Sequence, residues 1–431
     1  MTLLRRFLSL ACLGALLLCS PGCTAPAAET LSAATVSAAP ASPAPASPAP
    51  ASPAPTAEPR LQEGALQTTL LDEKDLFAAA SGYRFLENNG VELTVTAANY
   101  NGNPATIWFL FSELNGWDVS ALPQSTSIVS LTPGEEKQET IRFDTSTGAA
   151  RFLSLAALQS MTLAVEGYVD SSNYEYTMRE STFALPDAPG GYTQQYYPEA
   201  NVLLSNDTLT IAYLGETEDG ASAYYTGVHT PVEGGKCTLY RLENGLYDTE
   251  KYLVPDAFDL GAAKRRILLL APAMHNAAPD TLYAVFERAA LPPQALTREA
   301  DASSARYDGG AYPVLAENES VRLRYDAATR RILAENLTGD TTLLLQLGQT
   351  FTLDGREIKA NPQSILCFPR AATVFRVSGR GVDERNVERN ITVTEGSHTL
   401  SAEWTVSACA DDIAAPTTLG TIALDNAVLE G

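Results

Sequence analysis

The chain has 431 residues, of which 45% are apolar and 19% charged, a composition that excludes a wholly disordered protein and allows two to four domains. Acidic residues outnumber basic ones 51 to 29; the formal charge of −22 disfavours nucleic acid and anionic membrane surface as long-range partners and reads first as a solubility feature, any attraction being to cations or basic partners. Three of the six cysteines (Cys12, Cys19, Cys23) lie near the N-terminus and no C-x-x-C occurs, which excludes a disulfide framework, a zinc ribbon and a thioredoxin-type site.

The first element is N-terminal. Arg5 and Arg6 precede an apolar stretch from Phe7 to Cys19. It is shorter than the roughly 20 residues that a membrane-spanning helix needs, and it predicts an export signal over residues 1–22. The ending "CSPGC" resembles a bacterial lipobox, with Gly22 before a lipid-accepting Cys23. Ser20 stands where that motif usually has Leu, and Pro21 is unusual there. Ala25 and Ala27 offer a rival A-x-A cut that would give a secreted chain. Residues 23–62 follow as a tether. "ASPAP" repeats three times from Ala41 to Pro55, and Ala, Ser, Pro and Thr make up nearly all of Thr24–Arg60. Such a segment buries too little apolar area to offset its ordering entropy and predicts disorder with polyproline II character.

From residue 63 the elements are strands. "GVELTVTA" alternates Val91, Leu93, Val95 and Ala97 with polar residues. "ATIWFLFSELNGWDVS" runs into an Asn115-Gly116 hairpin signal, and "SIVSLTPGEEKQETIRFD" turns at Pro133-Gly134. "GAARFLSLAALQ" alone reads as helical, a short crossover. "MTLAVEGYVDSSNYEYTMRESTFAL" predicts a hairpin at Asp170–Asn173. These give one antiparallel sandwich of about seven strands over 63–190. "PDAPGGYTQQYYPEAN" is a joint. A second sandwich over 191–305 holds "TLTIAYL", "SAYYTGVH", "KCTLYRL", "RRILLLAP" and "TLYAVFE". A third, over 306–431, runs from "SVRLRY" to "GTIALDNAV", with hairpin turns at Asp354-Gly355 and Glu395–His398. "AAKRRIL" (Ala262–Leu268) and "AATRRIL" (Ala327–Leu333) hint at an internal relationship. The expected fold class is all-β: tandem antiparallel immunoglobulin-like sandwiches after a disordered tether.

Signal, lipobox-like cysteine, Ala/Ser/Pro spacer and tandem sandwiches together resemble the uncharacterised surface lipoproteins of Gram-positive bacteria with immunoglobulin-like domains. The resemblance is one of layout and carries no chemistry across. The residues themselves point to little chemistry. His229, His275 and His398 stand far apart and read as loop residues, no H-E-x-x-H, G-x-S-x-G, S-x-x-K or phosphate-binding loop is present, and no catalytic, metal or cofactor site is expected. Glu87, Glu113 and Asp118 near Trp108 and Trp117 read as solvated strand ends rather than a glycosidase pair. Asn99–Pro104 and Tyr307–Tyr312 lack the calcium-loop pattern. The sequons at Asn206, Asn318, Asn336 and Asn390 read as marks of turns or strand starts. If a binding face exists, Tyr192, Tyr196 and Tyr197 are the candidates; the neighbouring Tyr224 and Tyr225 suit strand packing equally. The expectation is a cell-membrane lipoprotein, anchored through Cys23 on the extracytoplasmic side. It binds an envelope protein or polysaccharide without catalysis or cofactor. The alternatives are an architectural spacer without a ligand, or a glycan-active enzyme on a sandwich scaffold.

Overall fold

A computed structural model describes residues 63–430, apart from 87–89, 115, 123–124, 145–147, 154–159, 172–174, 185–200, 252–255, 271–280, 297–306, 308, 383–387 and 393–395. The described residues form strands and two short 3-10 turns, with no α-helix among them. The fold is all-β, and its sheets are antiparallel apart from two short parallel pairings. No helix among the described residues is long and apolar enough to cross a membrane.

The first span supplies β1 (Glu63–Glu73), β2 (Leu76–Phe85), β3 (Val91–Asn99), β4 (Ala105–Leu114), β5 (Trp117–Asp118), β6 (Thr126–Leu131), β7 (Glu136–Phe143), β8 (Ser160–Val169) and β9 (Glu175–Ala184). Sheet 1 has the order β1-β2-β3-β7, and β6, β4, β8 and β9 lie in sheet 2. Alternation decides which face goes inward. Leu93, Val95, Ile107, Phe109, Leu163 and Val165 are fully buried in a core shared by the two sheets. One hairpin falls between Leu114 and Trp117, which face each other, with Gly116 at φ +77°, and another between Val169 and Glu175. The segment read as helical begins as a 3-10 turn over Gly148–Phe152.

The second span supplies β10 (Val202–Ser205), β11 (Leu209–Glu216), β12 (Ser222–Val228), β13 (Lys236–Leu242), β14 (Leu246–Asp248), β15 (Asp256–Asp259), β16 (Arg265–Leu270), β17 (Thr281–Glu287) and β18 (Gln294–Leu296). β10, β11, β12 and β16 do not form a separate sheet. β16 pairs in parallel with β5, Arg265 opposite Trp117 and Arg266 opposite Asp118, so these strands continue sheet 2. Sheet 3 has the order β15-β13-β17-β18. The third span supplies β19 (Val314–Glu317), β20 (Val321–Asp326), β21 (Arg331–Asn336), β22 (Leu343–Leu347), β23 (Thr350–Leu353), β24 (Arg356–Ala360), β25 (Ser364–Cys367), β26 (Ala372–Phe375), β27 (Ser378–Val382), β28 (Glu388–Thr392), β29 (Ser397–Ala408) and β30 (Thr417–Glu430). Sheet 4 runs β25-β22-β29-β23-β24-β27-β28 with β30 on β29, and sheet 5 runs β14-β26-β21-β20-β19. β28 and β29 do not pair, so Glu395–His398 is no hairpin turn; it links one edge of sheet 4 back to its middle.

The sheets stack in the order 1, 2, 3, 4, 5 with an apolar core at each junction. Between sheets 2 and 3 lie Ile211, Tyr224, Leu239 and Phe286. Between sheets 3 and 4 lie Leu242, Tyr283, Val285, Leu344, Leu366 and Phe368. Between sheets 4 and 5 lie Leu323, Ile332, Leu343, Phe375 and Trp404. The internal sheets are therefore buried on both faces. In β17, Leu282, Ala284 and Phe286 face one core while Tyr283 and Val285 face the next. In β12, Tyr224 and Tyr225 divide between two cores in the same way. A strand so placed reads as a continuous apolar run rather than an alternation. The last two spans are also tied through the backbone: Leu246–Asp248 of the second pairs in parallel with Ala372–Val374 of the third.

Candidate functional site

The residues named from the sequence divide three ways. Cys23, Glu87, Tyr192, Tyr196, Tyr197 and His275 lie outside the described residues. Tyr224 and Tyr225 lie in cores and offer no contact surface. Glu113 and Asp118 sit beside the parallel seam of sheet 2, Glu113 4.0 Å from Lys264 and Asp118 3.7 Å from Arg266. Trp117 is buried beside them, edge-on to Tyr225 and 5.2 Å from the Arg265 guanidinium. These groups hold two halves of a sheet together; they do not face each other across a cleft.

The remaining chemistry-bearing residues serve turns and cores. His229 follows β12, its Nε2 2.8 Å from the Thr210 hydroxyl. His398 lies within β29 rather than in a loop, its Nδ1 2.8 Å from Asp354 at the Asp-Gly hairpin. The partnership holds the Asp354 carboxyl below the usual range, helped by the Thr399 amide. Asn206 and Asn318 accept backbone N–H groups two and three residues on, and Asn336 accepts one two residues on, as turn-makers do. No group of three or more metal-ligating side chains occurs among the described residues. Cys237, Cys367 and Cys409 are free and buried, and burial pushes all three thiols up, Cys367 to about 12 and Cys409 to about 11. Cys367 and Cys409 flank β22 on either side and face different cores. Two inter-strand spacings put their backbones about 9–10 Å apart, beyond the reach of a disulfide.

Two concavities are lined by polar groups. One, about 480 Å³, opens where sheets 3, 4 and 5 meet, between Tyr240, Tyr247, Glu250, Gln363 and Arg376. Its one carboxylate, Glu250, is paired with Arg376 at 3.4 Å and Arg331 at 3.2 Å. The other, about 620 Å³, is a depression on the outside of sheet 1 beside the Arg84–Glu92 ion pair.

The distinctive surface is the outer face of the first sandwich. On β6, β4, β8 and β9 the residues out of phase with the core form rows across the sheet. Ile128, Trp108, Glu166 and Met178 stand side by side, and Ser130, Thr106, Tyr168 and Tyr176 form the next row. The adjoining half of sheet 2 has this same side covered by sheet 3; here no described sheet covers it, and its middle (Leu110, Ala164) is buried while its margins are exposed. Ile128 is 54% exposed, Tyr176 41% and Met178 39%. Tyr168 links the rings, 6.2 Å from Trp108 and 5.0 Å from Tyr176 between centroids. Beneath them Glu166 is only 2% exposed. Its Oε2 accepts the Tyr168 hydroxyl at 2.7 Å, while Oε1 has no hydrogen-bond partner among the described residues. Burial and the nearby Glu166 charge raise the Tyr176 hydroxyl above its usual pKa. The sequence carried a signal for this face. In "TIWFLF" the core phase belongs to Ile107, Phe109 and Phe111, which leaves Trp108 on the side where a solvated strand carries a polar residue.

No protein-family model matches the chain, and no curated protein does. Among solved structures, red sea bream transglutaminase aligns at 12% identity over 54% of this chain and 29% of its own, with a TM-score of 0.14. A structure described as bearing on host cell surface retention of a 1.5-MDa bacterial ice-binding adhesin aligns at 10% identity, over 77% of this chain and 89% of its own, also with a TM-score of 0.14. Likeness at that level carries no functional argument.

Proposed function

We propose that the chain is an extracytoplasmic lipoprotein, lipidated at Cys23, that binds a protein or polysaccharide partner at the cell surface and does so without catalysis. The observation that carries the binding reading is the exposed aromatic face over Glu166. Ile128, Tyr176 and Met178 are exposed beside the half-buried Trp108 and Tyr168, and an apolar patch of that kind marks an interaction site. A carboxylate oxygen buried there without a donor adds a cost that a ligand can remove. The lipid anchor rests on the sequence around Gly22-Cys23, and the layout is that of the Gram-positive surface lipoproteins the chain resembles.

The test is capture from envelope extracts by the full-length protein and by Trp108→Ala. A partner retained by the first and lost by the second supports the reading. Equal retention places binding elsewhere, and no retention by either favours the architectural spacer. The anchor is tested separately: Cys23→Ala should leave the membrane fraction, and a variant that still partitions with membranes refutes lipidation.

A further inference from the structure

We infer that the outer face of the first sandwich takes a cationic side chain, an arginine or lysine from a basic protein segment, seated among Trp108, Tyr168 and Tyr176 above the Glu166 carboxylate. The inference rests on the binding reading above and goes further by fixing the chemistry of what is bound.

Charge is the first argument. Across the four strands the outward positions run Thr126, Ile128, Ser130 on β6; Thr106, Trp108, Leu110 on β4; Thr162, Ala164, Glu166, Tyr168 on β8; and Tyr176, Met178, Glu180, Thr182 on β9. The ionisable side chains in that set apart from the tyrosines are Glu166 and Glu180, and no lysine or arginine is among them. Glu180 has a local partner, the Ser112 hydroxyl at 3.1 Å. Glu166 has one hydroxyl on Oε2 and nothing on Oε1. Elsewhere the shielded carboxylates are answered by cations, as Asp118 is by Arg266 and Glu250 by Arg331, or by several backbone amides, as Asp412 is. At Glu166 no cation stands among the described outward residues and no second donor reaches Oε1, and a partner can supply both.

Ring chemistry is the second. Faces of Trp and Tyr attract a cation through their quadrupoles, and guanidinium also stacks on them. A carboxylate beneath the rings adds to that attraction through a medium poorer in water than bulk solvent. A neutral sugar would use the rings and could donate a hydroxyl, but it would leave the buried charge unanswered. An anionic polymer would be repelled by Glu166, by Glu180 and by the −22 charge of the chain. Direct contact with Oε1 requires something to move. Met178, opposite Glu166 on β9 and 39% exposed, is the flexible neighbour able to do so.

The experiment titrates the full chain with three probes in 150 mM salt: a peptide of alternating arginine and glycine, its glutamate counterpart, and a neutral glucan oligosaccharide. Tryptophan emission reports the site, because Trp117 and Trp404 are buried in cores while Trp108 lies on the face. The arginine peptide should bind and the glutamate peptide should not. Glu166→Gln, which keeps shape and removes charge, should weaken the arginine peptide at least tenfold. Val428→Ala, at an exposed site on β30 away from this face, should bind as the parent does. An arginine-peptide affinity unchanged within twofold in Glu166→Gln overturns the inference, since loss of one among 51 acidic residues barely alters bulk attraction. Equal losses in Glu166→Gln and Val428→Ala also overturn it, since the loss would then not depend on the face. Glucan binding that Trp108→Ala abolishes and Glu166→Gln does not would overturn the cationic assignment while leaving the binding face intact. No binding of the arginine peptide to the parent chain overturns it outright.

Discussion

Replacing Phe368 with alanine tests whether the five sheets behave as one body. Phe368 is fully buried in the core between sheets 3 and 4. Its ring lies 4.6 Å from that of Tyr283, 5.5 Å from Tyr240 and 5.7 Å from Tyr247, centroid to centroid. A buried Phe→Ala change costs about 3–5 kcal/mol. The three ring contacts, each worth about 0.5–1.5 kcal/mol beyond area, place this one near the upper end. For a body this large that corresponds to a fall in Tm of about 4–6 °C. The location matters as much as the size. The lost atoms join the second span to the third, so calorimetry should show a single transition for the parent and a broadened or split one for Phe368→Ala. Val428→Ala, at a site 55% exposed, is the control and should stay within about 0.5 kcal/mol of the parent. A Phe368→Ala endotherm that shifts no more than the control, or a parent that already melts in separate steps, would refute the coupled stack.

Two further outcomes follow from the same structure. Burial raises the Asp256 carboxyl to about 6, against a smaller pull downward from Arg241. A carboxyl whose folded pKa is raised favours the folded state while protonated and loses that advantage as pH climbs from about 4 through 6, so Asp256→Asn should gain up to about 3 kcal/mol in urea unfolding at pH 7 and little at pH 4; equal effects at both pH values would contradict the burial. Alkylation after denaturation without reductant should label all three of Cys237, Cys367 and Cys409, and a mass two hydrogens lighter would mean that sheet 4 is not threaded as described.

Strand content and hairpins were legible because both depend on neighbouring residues. Period-two alternation marked β3, an apolar run ending in Asn-Gly marked β4, and Asn-Gly and Asp-Gly marked turns that need positive φ, as at Asp354 (+51°) and Gly355 (+76°). The β1–β2 turn was not legible. Lys74 and Asp75 adopt φ of +57° and +60° without glycine or asparagine to announce it. Stacking was half-visible. "LYAVF" in β17 and "LLL" in β22 do not alternate, as befits strands covered on both sides, yet a short apolar run looks the same in an ordinary sandwich. β14 left no trace, since three residues pairing with a strand 126 positions away carry no local pattern. The site escaped for a related reason. Tyrosines adjacent in sequence attract notice, whereas Trp108, Tyr168 and Tyr176 become neighbours only through the register of β4, β8 and β9.

β14 also bears on how such a chain could have arisen and how it can be cut. Modules strung on linkers can be duplicated, lost or exchanged by recombination, because each carries its own complement of strands. Here the middle segment lends Leu246–Asp248 to the last sheet, and the first and middle segments complete one sheet between them. A crossover or a cloning boundary near residue 305 would strip β14 from the edge of sheet 5, leave β26 paired on its β21 side alone, and lay bare the apolar side of Tyr283 and Val285. The heritable unit, and the smallest piece worth expressing, is therefore the whole run of sheets.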